Sequence, residues 1–163
     1  MEYLDVIDAN DRVVASLAKT DVYAKKLGHR IVHVFVIHPE TKQLFLQVRS
    51  PKKSHLPNHY CVSAGGHVHS GETYEEAASR ELAEELGVTA DLTHVETFPY
   101  NNYGMPIHIA LFTCEHAGPF TYDEHEVSDG GFYTDDEIIS LLEKNELIHP
   151  QLTACFERLI AKR

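Results

Sequence analysis

Between Glu72 and Glu85 the chain places six glutamates, Glu72, Glu75, Glu76, Glu81, Glu84 and Glu85, against one base, Arg80. The same stretch carries the marks of a helix. Thr73 and Glu76 fit a capping box, Gly87 fits a C-terminal stop, and Ala77, Ala78, Leu82 and Leu86 form an apolar stripe. The spacing predicts a helix over 75–86. Like charges at i,i+4 weaken a helix by roughly 0.2–0.5 kcal/mol per pair. Glu81, Glu84 and Glu85, at i, i+3 and i+4, share one face of that helix. An acidic run is often a solvated face, but oxygen-rich carboxylate clusters are also what Mg²⁺ or Mn²⁺ requires. Gly65-Gly66 stand before the helix as a glycine loop whose backbone, without a Cβ, can come close to a metal. An Arg80–Glu72 ion pair can tie that loop to the helix.

The remaining elements follow from pattern and turn chemistry. Tyr3–Ile7 and Val13–Leu17 flank the turn-forming DANDR and read as a hairpin. The segment 20–27 reads as a short helix stopped by Gly28. Ile31–Ile37 and Leu44–Val48 surround HPETK and read as a second hairpin. The first of these runs is apolar at almost every position, which predicts burial on both faces. A polar loop over 50–59 leads to a short strand from Tyr60 that runs into the glycines. After the acidic helix, strands are expected over 95–100 and 107–113, with another near Phe132-Tyr133. Thr134 and Glu137 fit a second capping box, and Pro150 suits the first turn of a last helix. Mixed strands and helices with adjacent hairpins indicate an α/β (α+β) domain with helices packed on a mixed sheet.

At 163 residues one domain is expected. The net charge of -11 excludes electrostatic wrapping of DNA or RNA. It leaves room for a small anionic substrate, because a bound cation reverses the local field. No apolar run approaches the roughly 20 residues of a membrane span. The N-terminus lacks a basic segment followed by an apolar block, so a cytoplasmic location is expected. Cys61, Cys114 and Cys155 are odd in number and far apart, which reads as reduced thiols. The 12 histidines offer no spacing that assembles a zinc site.

Counting from Gly66, the pattern is Gly, five residues, Glu72, seven residues, then Arg80-Glu81-Leu82-Ala83-Glu84-Glu85-Leu86-Gly87-Val88. This resembles the signature of the Nudix hydrolases at every fixed position. A looser similarity, in HRIVHVFV, QVRSPKK and SAGGHVHSGE, points to the branch near isopentenyl diphosphate isomerase. The resemblance implies a Nudix-type α/β/α sandwich, with 1–28 as an extension and 29–163 as the core. It implies hydrolysis of a diphosphate, typically a nucleoside diphosphate linked to another moiety, with Mg²⁺ or Mn²⁺ as cofactor. By position in the motif, Glu81, Glu84, Glu85 and the Gly65 carbonyl would hold metal. Glu81 or a later glutamate such as Glu126 would be the base, and Arg80 and Glu72 would support the loop. Arg49, Lys53 and Gly66 would meet the substrate, with His67 lining the pocket. The implied partner is a small diphosphate, and homodimers are common in the family. Two alternatives stand beside this reading, an isopentenyl diphosphate isomerase-like enzyme and a non-catalytic nucleotide sensor. The isomerase reading lacks its cysteine, because the residue before Gly66-His67 is Gly65 and Cys61 lies too early.

Overall fold

A strand that is apolar at nearly every position needs cover on both faces, and this chain supplies it. The computed structural model describes residues Met1–Arg163. In chain order the elements are β1 (Tyr3–Ile7), β2 (Val13–Ala18), α1 (Lys19–Ala24), β3 (Arg30–Ile37), β4 (Leu44–Arg49), β5 (Tyr60–Val62), β6 (Ala64–His67), α2 (Tyr74–Leu86), β7 (Thr93–Asn102), β8 (Met105–Glu115), β9 (Val127–Tyr133), α3 (Asp135–Lys144) and α4 (Pro150–Ala161). The central strand β3 runs parallel to β8, from Arg30↔His108 to Ile37↔Glu115, and antiparallel to β6. Its side chains alternate between two cores. Ile31 and Phe35 pack with Ile138, Leu152, Phe156 and Leu159 of α3 and α4. Val32, Val34 and Val36 pack with Ala77, Ala78, Leu82 and Leu86 of α2. The result is a mixed sheet between helical layers, the α/β/α sandwich the sequence predicts. No helix is long and apolar enough to cross a membrane.

The expected second hairpin opens instead of closing. β3 and β4 pair only at Ile37↔Leu44. Further along, β4 pairs with β5 on one side and with β9 on the other. The segment 60–67 is a wedge between them, with β5 on β4 and β6 on β3. It changes partner at Ser63, whose hydroxyl accepts the Val36 N–H at 2.8 Å and donates to the Phe45 carbonyl. Turn chemistry specifies two neighbouring strands, but it carries no information about a third segment inserted between them.

That wedge corrects a second expectation. Gly65 and Gly66 lie within β6, not in a loop, and reach α2 from the sheet. Gly28 is also placed differently. α1 ends at Ala24, and Lys26 already has φ +52°. A Cβ at Gly28 would sit 2.8 Å from the Ile7 carbonyl oxygen and 2.9 Å from that of Pro106. Glycine is needed there for close backbone packing rather than to stop the helix.

Both capping boxes form. Thr73 accepts the Glu76 N–H at 3.1 Å while the Glu76 carboxylate accepts the Thr73 N–H at 2.9 Å. Thr134 and Glu137 do the same for α3. Gly87 ends α2 in the left-handed region at φ +70°. All three cysteines are free and buried.

Candidate active site

A cavity of about 770 Å³ opens between β6, α2 and the ends of β4, β7 and α4. Ten of the residues singled out in the sequence line it. They are Arg49 and Lys53, Gly65, Gly66 and His67, the α2 residues Arg80, Glu81, Glu84 and Glu85, and Glu126 across the cavity. Glu72 stands one step behind, holding Arg80.

Arg80 is the node of the wall. It grips Glu72 through two bonds, Nε–Oε2 at 2.8 Å and Nη2–Oε1 at 2.9 Å. It also donates to Glu81 at 2.9 Å, to Glu84 at 3.3 Å and to the His67 carbonyl at 2.9 Å. Glu72 in turn accepts the His69 N–H at 2.7 Å. The expected loop-to-helix pair is therefore present, and Arg80 is drawn into the carboxylate cluster as well. Hydrogen bonds from Arg80 hold the Glu72 carboxyl below the usual carboxylate range.

The three helix glutamates diverge in environment. Glu84 is 55% exposed, whereas Glu81 and Glu85 are buried. Glu81 lies flat against Gly66, where a Cβ would come within 2.5 Å of its Oε1. Gly66→Ala should therefore leave the fold intact, push the flexible Glu81 end aside and lower turnover by about a hundredfold. Paired kcat and melting measurements check this. Glu85 is fixed from behind, its Oε1 accepting from Gln47 Nε2 at 2.9 Å and from the Gly65 N–H at 3.2 Å. Gln47 also donates to the Ser63 carbonyl at 3.0 Å. Burial raises the Glu81 carboxyl. Burial and then the charge of Glu81 raise the Glu85 carboxyl well above its ordinary value, with no arginine to offset them. No three His, Cys, Asp or Glu side chains converge as a ready-made ligand set.

The basic residues of the neighbouring loop are less free than the sequence implies. Arg49 donates to the carbonyls of His55 at 2.8 Å and Leu56 at 3.1 Å, so it shapes the loop over 50–59. Lys53 forms an ion pair with Glu126. Burial pulls His33 down to about 4 and His67 and His149 down to about 3. His33 Nε2 bonds Gln151 Oε1 at 2.7 Å. Phe98 is in the core beneath Arg158, while Tyr103 stands 61% exposed at the rim.

Sequence reasoning missed Gln47, Gln151, Tyr23 and Lys19 as wall residues. For Gln47 a signal existed, a lone amide inside the apolar strand LFLQV. The others come from elements distant in sequence and carried none.

The NUDIX domain matches residues 28–156. The chain belongs to the Nudix family. It is 36% identical to an uncharacterised Nudix hydrolase of Streptomyces coelicolor over 166 residues, covering 99% of this chain and 90% of that protein. It is 32% identical to the uncharacterised Nudix hydrolase YfcD of Escherichia coli over 139 residues, 84% of this chain and 76% of that protein. The crystal structure of a Deinococcus radiodurans protein superposes with TM-score 0.85 at 29% identity, covering 96% of this chain and 98% of the other. The Nudix domain of a Shewanella oneidensis protein, crystallised with ADP ribose, shares the fold at TM-score 0.65 and 14% identity, covering 89% and 98%. Membership makes this Nudix chain a pyrophosphohydrolase, an enzyme that hydrolyses a pyrophosphate bond.

Proposed function

We propose that this Nudix enzyme hydrolyses the diphosphate of a nucleoside diphosphate derivative, with Mg²⁺ or Mn²⁺ held by Glu81, Glu84, Glu85 and the Gly65 carbonyl. The observation that carries the metal assignment is the pair of buried carboxyls, Glu81 and Glu85, on the wall of a polar cavity. Glu85 has no cationic side chain among its hydrogen-bond partners. Hard oxygen donors in that state fit a hard divalent cation. When bound, such a cation neutralises phosphate charge and lowers the pKa of an attacking water.

The chain's own groups do the rest. Gln47 and the Gly65 N–H hold one oxygen of Glu85 in place on the cavity wall. Arg80 and Glu72 fix the β6–α2 connection so that Glu81 stays against Gly66. Glu81 takes the proton from the attacking water, with Glu126 as the second candidate base. Lys53, released from Glu126, and the cavity side of Arg49 face the phosphates. Glu84 can turn inward from Arg80 because it is exposed.

Five hydrophobic residues among 26 lining the cavity suit a sugar and base better than an isoprenoid chain. Burial also holds the Cys61 thiol up at about 11. The isomerase-like reading is therefore not favoured, and a silent sensor would keep two strained carboxyls without use.

The test incubates the protein with Mg²⁺ or Mn²⁺ and nucleoside triphosphates, ADP-ribose, nucleotide sugars, coenzyme A, dinucleotides and isopentenyl diphosphate. Release of phosphate, pyrophosphate or a nucleoside phosphate that stops on chelation is expected. An allylic product without phosphate release, or saturable binding with no turnover, overturns the proposal.

A further inference from the structure

The NUDIX match begins at residue 28, yet residues before it build one wall of the cavity. The extension made of β1, β2 and α1 is fastened to the segment that follows β6. The Ser70 N–H donates to the Tyr3 carbonyl at 2.8 Å, and the Gly71 N–H donates to Asp5 Oδ2 at 3.1 Å. His69 Nε2 meets Glu2 Oε1 at 2.6 Å. From α1, Tyr23 Oη reaches His67 Nε2 at 2.5 Å. Both Tyr23 and His67 line the cavity beside Gly66.

That contact has a direction. His67 Nε2 is the only protein partner of the Tyr23 hydroxyl. A phenol is a good donor, and its oxygen is a weak acceptor because its lone pair is shared with the ring. Donation from Tyr23 needs a bare Nε2, which puts the imidazole proton on Nδ1. Nδ1 of His67 has no hydrogen-bond partner in the protein. It is also absent from the buried unpartnered side-chain atoms, which are His29 Nε2, His33 Nδ1 and His108 Nδ1. It is therefore not fully buried, and His67 lines the cavity. We propose that Tyr23 fixes His67 as the Nδ1–H tautomer, and that this N–H donates to an anionic oxygen of the substrate's diphosphate. The proposal rests on the diphosphate-hydrolase reading above. Its chemistry suits the place. An imidazole N–H on the cavity wall contacts a phosphate oxygen without adding a positive charge that competes with a cation for the carboxylates. Tyr23 is thus a positioning residue supplied from outside the matched region.

The test uses the full chain with ¹⁵N-labelled histidine. Long-range ¹H–¹⁵N spectra, with the His67 signals assigned by their loss in His67→Asn, are expected to show the Nδ1–H pattern in the unsubstituted protein. In Tyr23→Phe they should move toward the Nε2–H form. Inorganic pyrophosphate with Mg²⁺ should shift the His67 Nδ1 signal. In turnover, Asn places an amide N–H near the Nδ1 position and Gln places one near Nε2. His67→Asn should stay within about threefold of the starting kcat/KM, whereas His67→Gln and Tyr23→Phe should each lose about tenfold, mostly in KM. An Nε2–H pattern in the unsubstituted protein, an unmoved Nδ1 signal with pyrophosphate, or His67→Gln outperforming His67→Asn overturns the proposal. The spectra need no turnover. An inactive protein whose Nδ1 still responds to pyrophosphate defeats the hydrolase reading alone.

Discussion

Glu85→Gln should lower kcat by about a thousandfold and yet stabilise the cation-free protein at neutral pH. The first effect follows from removing a proposed metal-holding carboxylate, and a thousandfold corresponds to about 4 kcal/mol of barrier. The second follows from burial. Glu85 is 6% exposed, and its folded carboxyl is raised well above the ordinary value. A group with a raised folded value contributes its stability below the unfolded value, about 4.3 for glutamate, and loses it as pH rises through the folded value. The unsubstituted protein without cations should accordingly lose stability between about pH 4.3 and neutrality. Glutamine does not titrate and still accepts from Gln47, so its curve should be flatter. Each kcal/mol recovered should raise the melting temperature by about 2–4 °C in a domain of this size. Added Mg²⁺ should reverse the order, because it binds the folded starting protein and not the variant. Melting curves in chelator and in Mg²⁺ from pH 4 to 8, with kcat alongside, check both halves. A cation-free variant that melts below the unsubstituted protein at pH 7.5 contradicts the account.

Arg80→Lys should lower kcat by about a hundredfold and destabilise the fold by about 2 kcal/mol. One ammonium cannot reproduce a planar fork that serves Glu72 twice, Glu81, Glu84 and the His67 carbonyl at once. The Glu72–Arg80 pair is mostly covered, at 20% and 22% exposure, so screening removes only part of its worth. The pH signature has the opposite sign to that of Glu85. Arg80 holds the Glu72 carboxyl low, so its contribution is present above the unfolded value and is lost as pH falls through the folded one. The variant should therefore lose stability most at neutral pH and least near pH 3. Acid titrations of ellipticity for both proteins measure this, and a pH-independent difference would count against the pair.

Much of this architecture is legible in the order of the amino acids. The α2 helix is readable because its caps, stripe and stop lie within one short segment, and local hydrogen bonding specifies each. The spacing from Gly66 to Gly87 carries the family resemblance, and the Nudix match agrees with it. The apolar run of β3 announces burial on both faces, and two helical layers cover it. Where the pattern misleads, the partner is remote. HPETK promises a hairpin, but β5 and β6 enter between its strands. Gly28 looks like a helix stop, although two carbonyls from Ile7 and Pro106 explain it. Arg49 and Lys53 look free because their partners, the His55 and Leu56 carbonyls and Glu126, cannot be seen from a charge pattern.

By itself the sequence determined which carboxylates occupy one helix, where that helix begins and ends, and which family pattern their spacing matches. Tertiary structure alone decided that Glu81 and Glu85 are buried while Glu84 is not, that Gln47 backs Glu85, and that Tyr23 meets His67 on the cavity wall. The division has one physical cause. Helix periodicity and capping act between residues a few positions apart, whereas burial, and the pKa shifts and hydrogen-bond directions it imposes, depends on neighbours that only the folded chain brings together.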